Sequence, residues 1–195
     1  MPSGRRAKLL ALLALVVTAG AVLIGGNLVW FTARVDGGSV EVVGQSAAPA
    51  LSGLALASLA LAGALSLAPV VLRLVLGGLQ VALSALVFAA ALPALTDPAG
   101  RVAPRVTEVT GIDGDGPVRA LLLGIDSTPW PMVVLIMAGL GAAAGVWILV
   151  TGRSWPVPGR RYAAGTDPEK PRSDAPEERT REDEWDALTR GEDPT

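Results

Sequence analysis

Two residue types that are common in active sites are absent from this chain. Its 195 residues include no His and no Cys, which excludes the commonest general base, the commonest zinc ligand, thiol nucleophiles and disulfides. The remaining residues show no arrangement that pairs a nucleophile with a base. We therefore predict no catalytic residue, no cofactor and no metal site, and a protein that is not an enzyme.

One segment, Ile112–Pro117 with the sequence IDGDGP, resembles part of a metal-binding motif. It contains the D-x-D-G fragment of a calcium loop. A complete loop needs ligands over about 12 residues and a closing Glu, and no acid lies between Asp115 and Asp126. We interpret the segment as a turn that uses the backbone preferences of Asp and Gly.

Four long apolar stretches, at 9–31, 51–68, 74–95 and 130–150, contain few polar side chains. These stretches contain no Asp, Glu, Lys or Arg, which argues against a proton-coupled pump or carrier. Their most polar residues are Asn27, Gln80 and Ser84. We expect these residues to form hydrogen bonds between helices, worth about 0.6 kcal/mol each, and the alternative is a small polar pathway.

A GxxxG motif lies in the last apolar stretch, at Gly141 and Gly145. Small residues at this spacing let two helix backbones approach closely. The motif therefore predicts helix packing, either within the chain or between two copies in a homo-oligomer. The sequence favours packing within the chain without excluding the dimer.

Four apolar stretches are long enough to cross a bilayer, whose hydrocarbon core is about 30 Å thick. A spanning segment has to satisfy its backbone internally, which makes each stretch a helix. The predicted fold is an all-α membrane protein with four transmembrane helices, and 51% of its residues are hydrophobic while 17% are charged. The predicted spans are 9–31, 51–68, 74–95 and 130–150.

The first stretch also has features of a signal peptide. MPSGRRAK precedes LLALLALVV, and Ala19 and Ala21 form a small-x-small cleavage pattern. Because apolar sequence continues through VLIGGNLVW, the stretch is too long for a typical signal peptide. We predict an uncleaved first helix, with cleavage as the alternative.

Bases near the ends of the spans predict the orientation of the chain. If the four helices alternate, residues 1–8, the tight turn 69–73 and the segment 151–195 lie on one side of the membrane. That side carries more bases than the outer loops, so we predict that both termini are cytoplasmic. The bases are Arg5, Arg6, Lys8, Arg73, Arg153, Arg160 and Arg161 on the cytoplasmic side, against Arg34, Arg101, Arg105 and Arg119 on the other.

Aromatic residues lie at the predicted membrane boundaries. Trp30 and Phe31 close the first span and Trp130 opens the fourth, while Trp147 and Trp155 bracket its inner end. Tryptophan favours the headgroup level, where its ring is in apolar surroundings and its N–H faces water. We therefore expect these side chains at the membrane–water interface.

The two outer loops, 32–50 and 96–129, contain patterns typical of strands. SVEVVG in the first loop predicts a strand that ends at Gly44. In the second loop, RVTEVTG and VRALLLGI flank the glycine-rich IDGDGP and are predicted to pair as a hairpin. A small sheet joining both loops is the resulting prediction.

The C-terminal tail, 151–195, is rich in Pro, Gly and charge and is predicted to be disordered. From Tyr162 onward it has 11 acids and 5 bases, a net charge of -6. This sign argues against nucleic-acid binding.

A short helix is predicted within the tail at Arg181–Arg190. Thr180 caps its start, and Gly191 and Pro194 end it. Such a helix is shorter than the about 12–15 residues at which isolated helices become marginal. We expect it to fold by docking a face formed by Trp185 and Leu188 on a cytoplasmic protein, with Arg190 nearby. The alternative is a solvated acidic tail without a partner.

The order of these segments resembles a known family. Four spans are followed by WPVPGRRY at Trp155–Tyr162 and by an acidic tail that ends DEWDALTRGEDPT. This pattern resembles a bacterial family of tryptophan-biosynthesis-associated membrane proteins, most sharply in W-x-A-L-x-R-G-E-D-P-T. The resemblance implies a multi-pass protein of the bacterial plasma membrane whose gene lies among those of tryptophan synthesis, and it supplies no activity, ligand or catalytic residue.

Two functions are compatible with these patterns. The first is a non-enzymatic membrane protein associated with tryptophan synthesis, which recruits a cytoplasmic protein through its tail. The second is a transporter or transporter subunit for tryptophan or indole, since a carrier for neutral indole needs no charge in the membrane. Apart from the protein at the tail, the expected partner is the lipid bilayer.

Overall fold

Four long helices form the body of the protein. A computed structural model describes residues 4–35, 38–112 and 114–155. In it, the long helices are α1 (Gly4–Asn27), α3 (Ala50–Leu67), α4 (Val70–Ala91) and α8 (Trp130–Thr151). Each is long and apolar enough to cross a membrane by length and composition, which confirms the predicted set of four spanning helices.

The remaining elements lie in the two long connections. Between α1 and α3 are the strands β1 (Val29–Val35) and β2 (Gly38–Val43) and the short helix α2 (Gly44–Ala47). Between α4 and α8 are α5 (Pro93–Thr96), α6 (Pro98–Thr110), α7 (Asp115–Leu121) and the strand β3 (Leu122–Ser127). A single turn of 3₁₀ helix, Gly152–Ser154, follows α8.

The four long helices alternate in direction and pack as a closed ring. Helix α1 packs on α3 and α8, and α4 packs on α3 and α8. The Nζ of Lys8, near the start of α1, donates to the carbonyl of Ser66 at the end of α3, at 2.7 Å. The start of α1, the α3–α4 turn and the end of α8 therefore lie together, and we call this the basic end of the bundle.

The small predicted sheet is present at the opposite end, which we call the sheet end. The strand order is β2-β1-β3, with both pairings antiparallel. The predicted strand SVEVVG lies in β2, and Thr32 of β1 is placed between Glu41 of β2 and Asp126 of β3. Strands from both connections therefore close over the bundle.

The first helix ends earlier than predicted. It stops at Asn27, and Trp30 and Phe31 belong to β1, where both are fully buried. The prediction that these two residues close the first helix is therefore wrong, and a position at the membrane boundary stays a prediction. Two consecutive glycines, Gly25 and Gly26, weaken the helix, and the β-branched and aromatic run VWFTARV favours a strand.

The α3–α4 turn is also shorter than the predicted 69–73. Helix α3 ends at Leu67 and α4 begins at Val70, so only Ala68 and Pro69 connect them. Proline disfavours helical backbone in the residue before it, and Ala68 is extended, with φ -65° and ψ 135°. Arg73 consequently lies inside α4 and not in the turn.

The hairpin predicted around IDGDGP is wrong. RVTEVT lies in α6, and only the LLGI half of the second flank forms a strand, which pairs with β1. Helix α6 begins where the Asp97 side chain accepts from the Gly100 N–H at 3.2 Å. It buries Val102 and Val106, four residues apart, and ends at Gly111, whose φ of +72° suits glycine.

The core is divided between the two ends. At the sheet end, Trp30, Phe31, Val102 and Val106 belong to one buried cluster. Toward the basic end, a second cluster contains Leu15, Leu65, Ile148 and Trp155. The first cluster fixes the sheet and α6 on the bundle, and the second holds the long helices together where the chain leaves α8.

Candidate functional site

The basic end carries bases and, among the described residues, no acid. Gly4 at the start of α1 approaches the Ser154 carbonyl so closely that a Cβ at this position would overlap it. This contact places the bases in the first turns of α1 beside Arg153, which follows α8. All described acids (Glu41, Asp97, Glu108, Asp115 and Asp126) lie in sheet-end elements, whereas Arg5, Arg6, Lys8, Arg73 and Arg153 lie at the basic end.

Arg73 is the central residue of the basic end. It is fully buried. Its Nε donates to the Ala68 carbonyl at 2.8 Å, and its Nη1 donates to the carbonyls of Trp155 at 3.1 Å and Gly152 at 3.3 Å. The last carbonyls of a helix lack partners within the helix and carry partial negative charge, so an arginine at the end of α8 both satisfies and neutralises them.

The burial of Arg73 contradicts the prediction that no charged residue lies within a span. The sequence pattern places Arg73 in the tight cytoplasmic turn 69–73, between the second and third spans. In the structure, α4 begins directly after Pro69, and the first turn of α4 carries Arg73 into the protein. The signal in the sequence was a lone Arg in the apolar run VVLRLV, which has to find its partners inside the protein.

Trp155 completes this arrangement. Its ring lies 5.6 Å from the Arg73 guanidinium, within the range of a cation–π interaction, and its Nε1 donates to Thr151 Oγ1 at 3.1 Å. The residue is buried, whereas Trp147 is 42% exposed. Trp155 therefore packs inside the protein and anchors the segment that leaves α8 to α4. Its predicted position at the membrane–water interface stays a prediction.

The three polar residues of the apolar stretches form hydrogen bonds within their own helices. Gln80 Nε2 donates to Ser84 Oγ at 3.1 Å, and both side chains are buried. Asn27 is exposed, and its Nδ2 donates to the Leu23 carbonyl at 2.8 Å. The predicted hydrogen bonds between helices are therefore not formed by these three side chains, because an i, i+4 partner is already within reach in each helix.

Gly141 and Gly145 lie on the face of α8 that packs against α4. A Cβ at Gly141 would lie 2.8 Å from Ser84 Oγ, and one at Gly145 would lie 2.8 Å from a methyl carbon of Val81 and 3.1 Å from the Gly77 carbonyl. Both contacts are too close for a side chain. The described part of the chain thus uses the motif for contact between its own helices, and a homo-oligomer stays a prediction.

The predicted partner-binding residues fall outside the described part of the chain. Trp185, Leu188 and Arg190 all lie beyond residue 155, as do the predicted helix at 181–190 and most of the tail that is predicted to be disordered. These remain predictions from the sequence. For residues 151–155 the prediction of disorder is wrong, because they form the end of α8, a 3₁₀ turn and the buried Trp155. The structure adds that Trp155, the last residue that it describes, is held against the bundle.

Comparison with known proteins identifies the family to which this chain belongs. Neither the curated proteins nor the solved structures include a match to this chain. The model of one family, described as tryptophan-associated transmembrane protein, matches residues 12–195. This match includes all of α3, α4 and α8, most of α1 and the whole tail. It agrees with the four apolar helices and with the resemblance seen in the tail, and the chain therefore belongs to the family of tryptophan-associated transmembrane proteins.

Proposed function

We propose that this protein is a non-enzymatic protein of the bacterial plasma membrane that recruits a cytoplasmic protein to the membrane in connection with tryptophan synthesis. In this proposal both termini are cytoplasmic, the bilayer surrounds the four long helices, and the tail provides the docking site. The observation that carries it is the position of the end of α8. The tail leaves the bundle at the basic end, where the described residues include bases and no acids.

The charge of the basic end supports this orientation. Lys and Arg close to the ends of spanning helices favour the cytoplasmic side, and the cytoplasmic leaflet carries anionic lipid that attracts them. Arg5 and Arg6 are exposed at the start of α1, and Arg153 is exposed after α8. By contrast, each exposed ion pair of the described residues is at the sheet end.

The anchored start of the tail supports recruitment. Arg73 and Trp155 hold the chain at the point where it leaves α8. A docking segment that begins at a fixed point stays close to the membrane, which raises its effective concentration for a partner at that surface. The proposed docking face is Trp185 and Leu188, an apolar pair at i and i+3 in an otherwise acidic segment.

The small size of the central cavity favours recruitment over transport. The cavity that all four long helices line is about 10 Å³, whereas an indole ring is many times larger. A larger, apolar space of about 480 Å³ is lined by α1 and α8 alone. Passage of tryptophan or indole through the centre of the bundle would require the helices to separate. Transport is therefore the competing proposal, and it predicts that deletion of the gene changes the flux of tryptophan or indole.

A reporter fused after Thr195 tests the orientation. We expect a reporter that is active only in the cytoplasm to give signal there, and a periplasm-active reporter to give none. The same pair of reporters inserted after Gly111, in the α6–α7 connection, serves as the matched control and should give the opposite result. Periplasmic activity after Thr195 would overturn the proposal.

Pull-down of the full-length protein from membranes tests recruitment. We expect a Trp185→Ala, Leu188→Ala double variant to lose a cytoplasmic protein that the unchanged chain captures. Asp186→Asn with Ala187→Ser is the matched control, since it changes the other side of the predicted helix and should retain the partner. If the double variant captures the same proteins as the unchanged chain, recruitment through this face is wrong.

Flux of labelled tryptophan and labelled indole in a deletion strain separates the two functions. Recruitment predicts unchanged flux of both compounds. A flux that falls on deletion and recovers with a chain truncated after residue 166 would favour transport, because the docking helix would then be dispensable.

A further inference from the structure

A small cavity lies at the centre of the bundle, and residues of all four long helices line it. Its polar residues are Thr18 of α1, Ser58 of α3, and Gln80 and Ser84 of α4. Each of these four residues is at most 6% exposed. The centre of an otherwise apolar bundle therefore contains a concentrated set of hydrogen-bonding groups.

The carboxamide of Gln80 is only half satisfied. Its Nε2 donates to Ser84 Oγ at 3.1 Å. Its Oε1 is buried, and among the buried side-chain oxygen and nitrogen atoms of the described residues it is the one that has no hydrogen-bond partner. Lipid offers no hydrogen bonds, so a polar group inside a spanning bundle has to find its partner within the protein. Gln80 Oε1 thus requires a donor in the cavity.

Gly141 keeps this space open. A Cβ at position 141 would lie 2.8 Å from Ser84 Oγ, 3.5 Å from Gln80 Nε2 and 3.7 Å from Thr18 Oγ1. The glycine therefore faces three of the four polar residues without filling the space between them. Any larger residue would intrude on the polar groups.

We propose that this cavity is a binding site for one water molecule, which donates to Gln80 Oε1 and contacts the hydroxyl groups of Thr18 and Ser58. A buried water needs a space of at least about 10–15 Å³ and two to four polar partners. The cavity, at about 10 Å³, is just large enough for one water and excludes larger molecules. Because its partners belong to α1, α3 and α4, the water links three helices through hydrogen bonds and packs against Gly141 of the fourth.

Selective labelling with ¹⁵N-glutamine provides a direct test, because the sequence contains only Gln45 and Gln80. The full-length protein is placed in lipid nanodiscs, and rotating-frame Overhauser transfer is measured from water to the two side-chain amides. We expect a direct transfer from a long-lived water at Gln80, with the sign that distinguishes it from proton exchange. Gln45, half-buried in α2, is the internal control. Signal at Gln45 with none at Gln80 would overturn the proposal.

Substitution of glycines in α8 tests the position of the water. Gly141→Ala is expected to abolish the transfer at Gln80. Gly139→Ala is the matched control, since a Cβ at Gly139 would meet no atom within 4 Å, and the transfer should persist. If Gly141→Ala prevents folding, Ser58→Ala serves instead, because it removes one partner of the water and is expected to reduce the transfer at least about twofold. An unchanged transfer in Gly141→Ala or in Ser58→Ala would contradict the proposal.

Discussion

The two ends of the bundle use their charged residues in opposite ways. At the basic end, Arg73 is fully buried and donates to main-chain carbonyls at the ends of α3 and α8. At the sheet end, Arg34 and Asp126 form an ion pair across β1 and β3 with more than half of each side chain exposed. One end thus contains a charge that is part of the core, and the other has charges on its surface.

This difference follows from the available partners. The basic end is made of helix termini, whose last carbonyls lack partners in their own helices. The sheet end contains strands whose backbone groups pair with each other, together with short helices, and its interior is filled by aromatic and aliphatic side chains such as Trp30 and Phe31. The comparison teaches that a buried cation stabilises the end where α3 and α8 stop, while burial of apolar surface stabilises the end that the sheet covers.

The largest effect is expected from Arg73→Met. This change keeps the apolar stem and leaves the carbonyls of Gly152 and Trp155 without their charged donor, so we expect the free energy of unfolding to fall by about 3 kcal/mol. The measurement is reversible unfolding in lipid bicelles. Arg153→Met, at an exposed position of the same end, is the control and should change stability by less than about 0.5 kcal/mol. If Arg73→Met and Arg153→Met lowered the free energy of unfolding equally, the basic end would not depend on its buried cation.

An intermediate effect is expected from Trp30→Phe at the sheet end. The indole N–H of Trp30 donates to the Gly25 carbonyl at 2.8 Å in a fully buried position. Loss of this bond and of the space that the indole fills should cost about 2 kcal/mol, measured in the same bicelles. Trp147→Phe, at a residue that is 42% exposed, should cost clearly less. A larger loss for Trp147 would mean that Trp30 does not hold β1 against α1.

The smallest effect is expected from Asp126→Asn. The Arg34–Asp126 pair is 2.8 Å long but more than half exposed on both sides, so its removal should change the free energy of unfolding by no more than about 0.5 kcal/mol. Glu108→Gln, which breaks the exposed pair with Arg105, should behave alike. A loss above about 1 kcal/mol at Asp126, beyond the usual range for an exposed pair, would show that the sheet end also depends on a specific charge contact.

Sequence patterns were reliable where they extended over many residues. The four apolar runs are each about 20 residues long, enough to exclude other structures in a membrane, and the first four residues of SVEVVG alternate between polar and apolar. Sequence patterns failed where one or two residues decided which secondary structure formed. VWFTARV continues the apolar run of α1, yet it pairs with β2 and β3, and hydropathy does not distinguish a buried strand from the last turn of a helix.

The candidate sites show the same limit. The GxxxG motif was visible in the sequence, but its packing against Gly77, Val81 and Ser84 of α4 depends on how the helices rotate toward each other. Thr18 and Ser58 gave no local signal, because a single hydroxyl in an apolar helix commonly bonds to its own backbone, as Thr18 does to Ala14. Only the assembled bundle places them around one cavity.

The sequence by itself determined the number of spanning helices and the acidic character of the tail, because these depend on length and composition along the chain. The tertiary structure alone decided that Arg73 is buried, that Trp30 lies in a strand and that four polar side chains meet at the centre of the bundle. Each of these depends on partners distant in the sequence. A buried polar group is stable only when other helices supply the groups that bond to it, and those helices come together only in the folded protein.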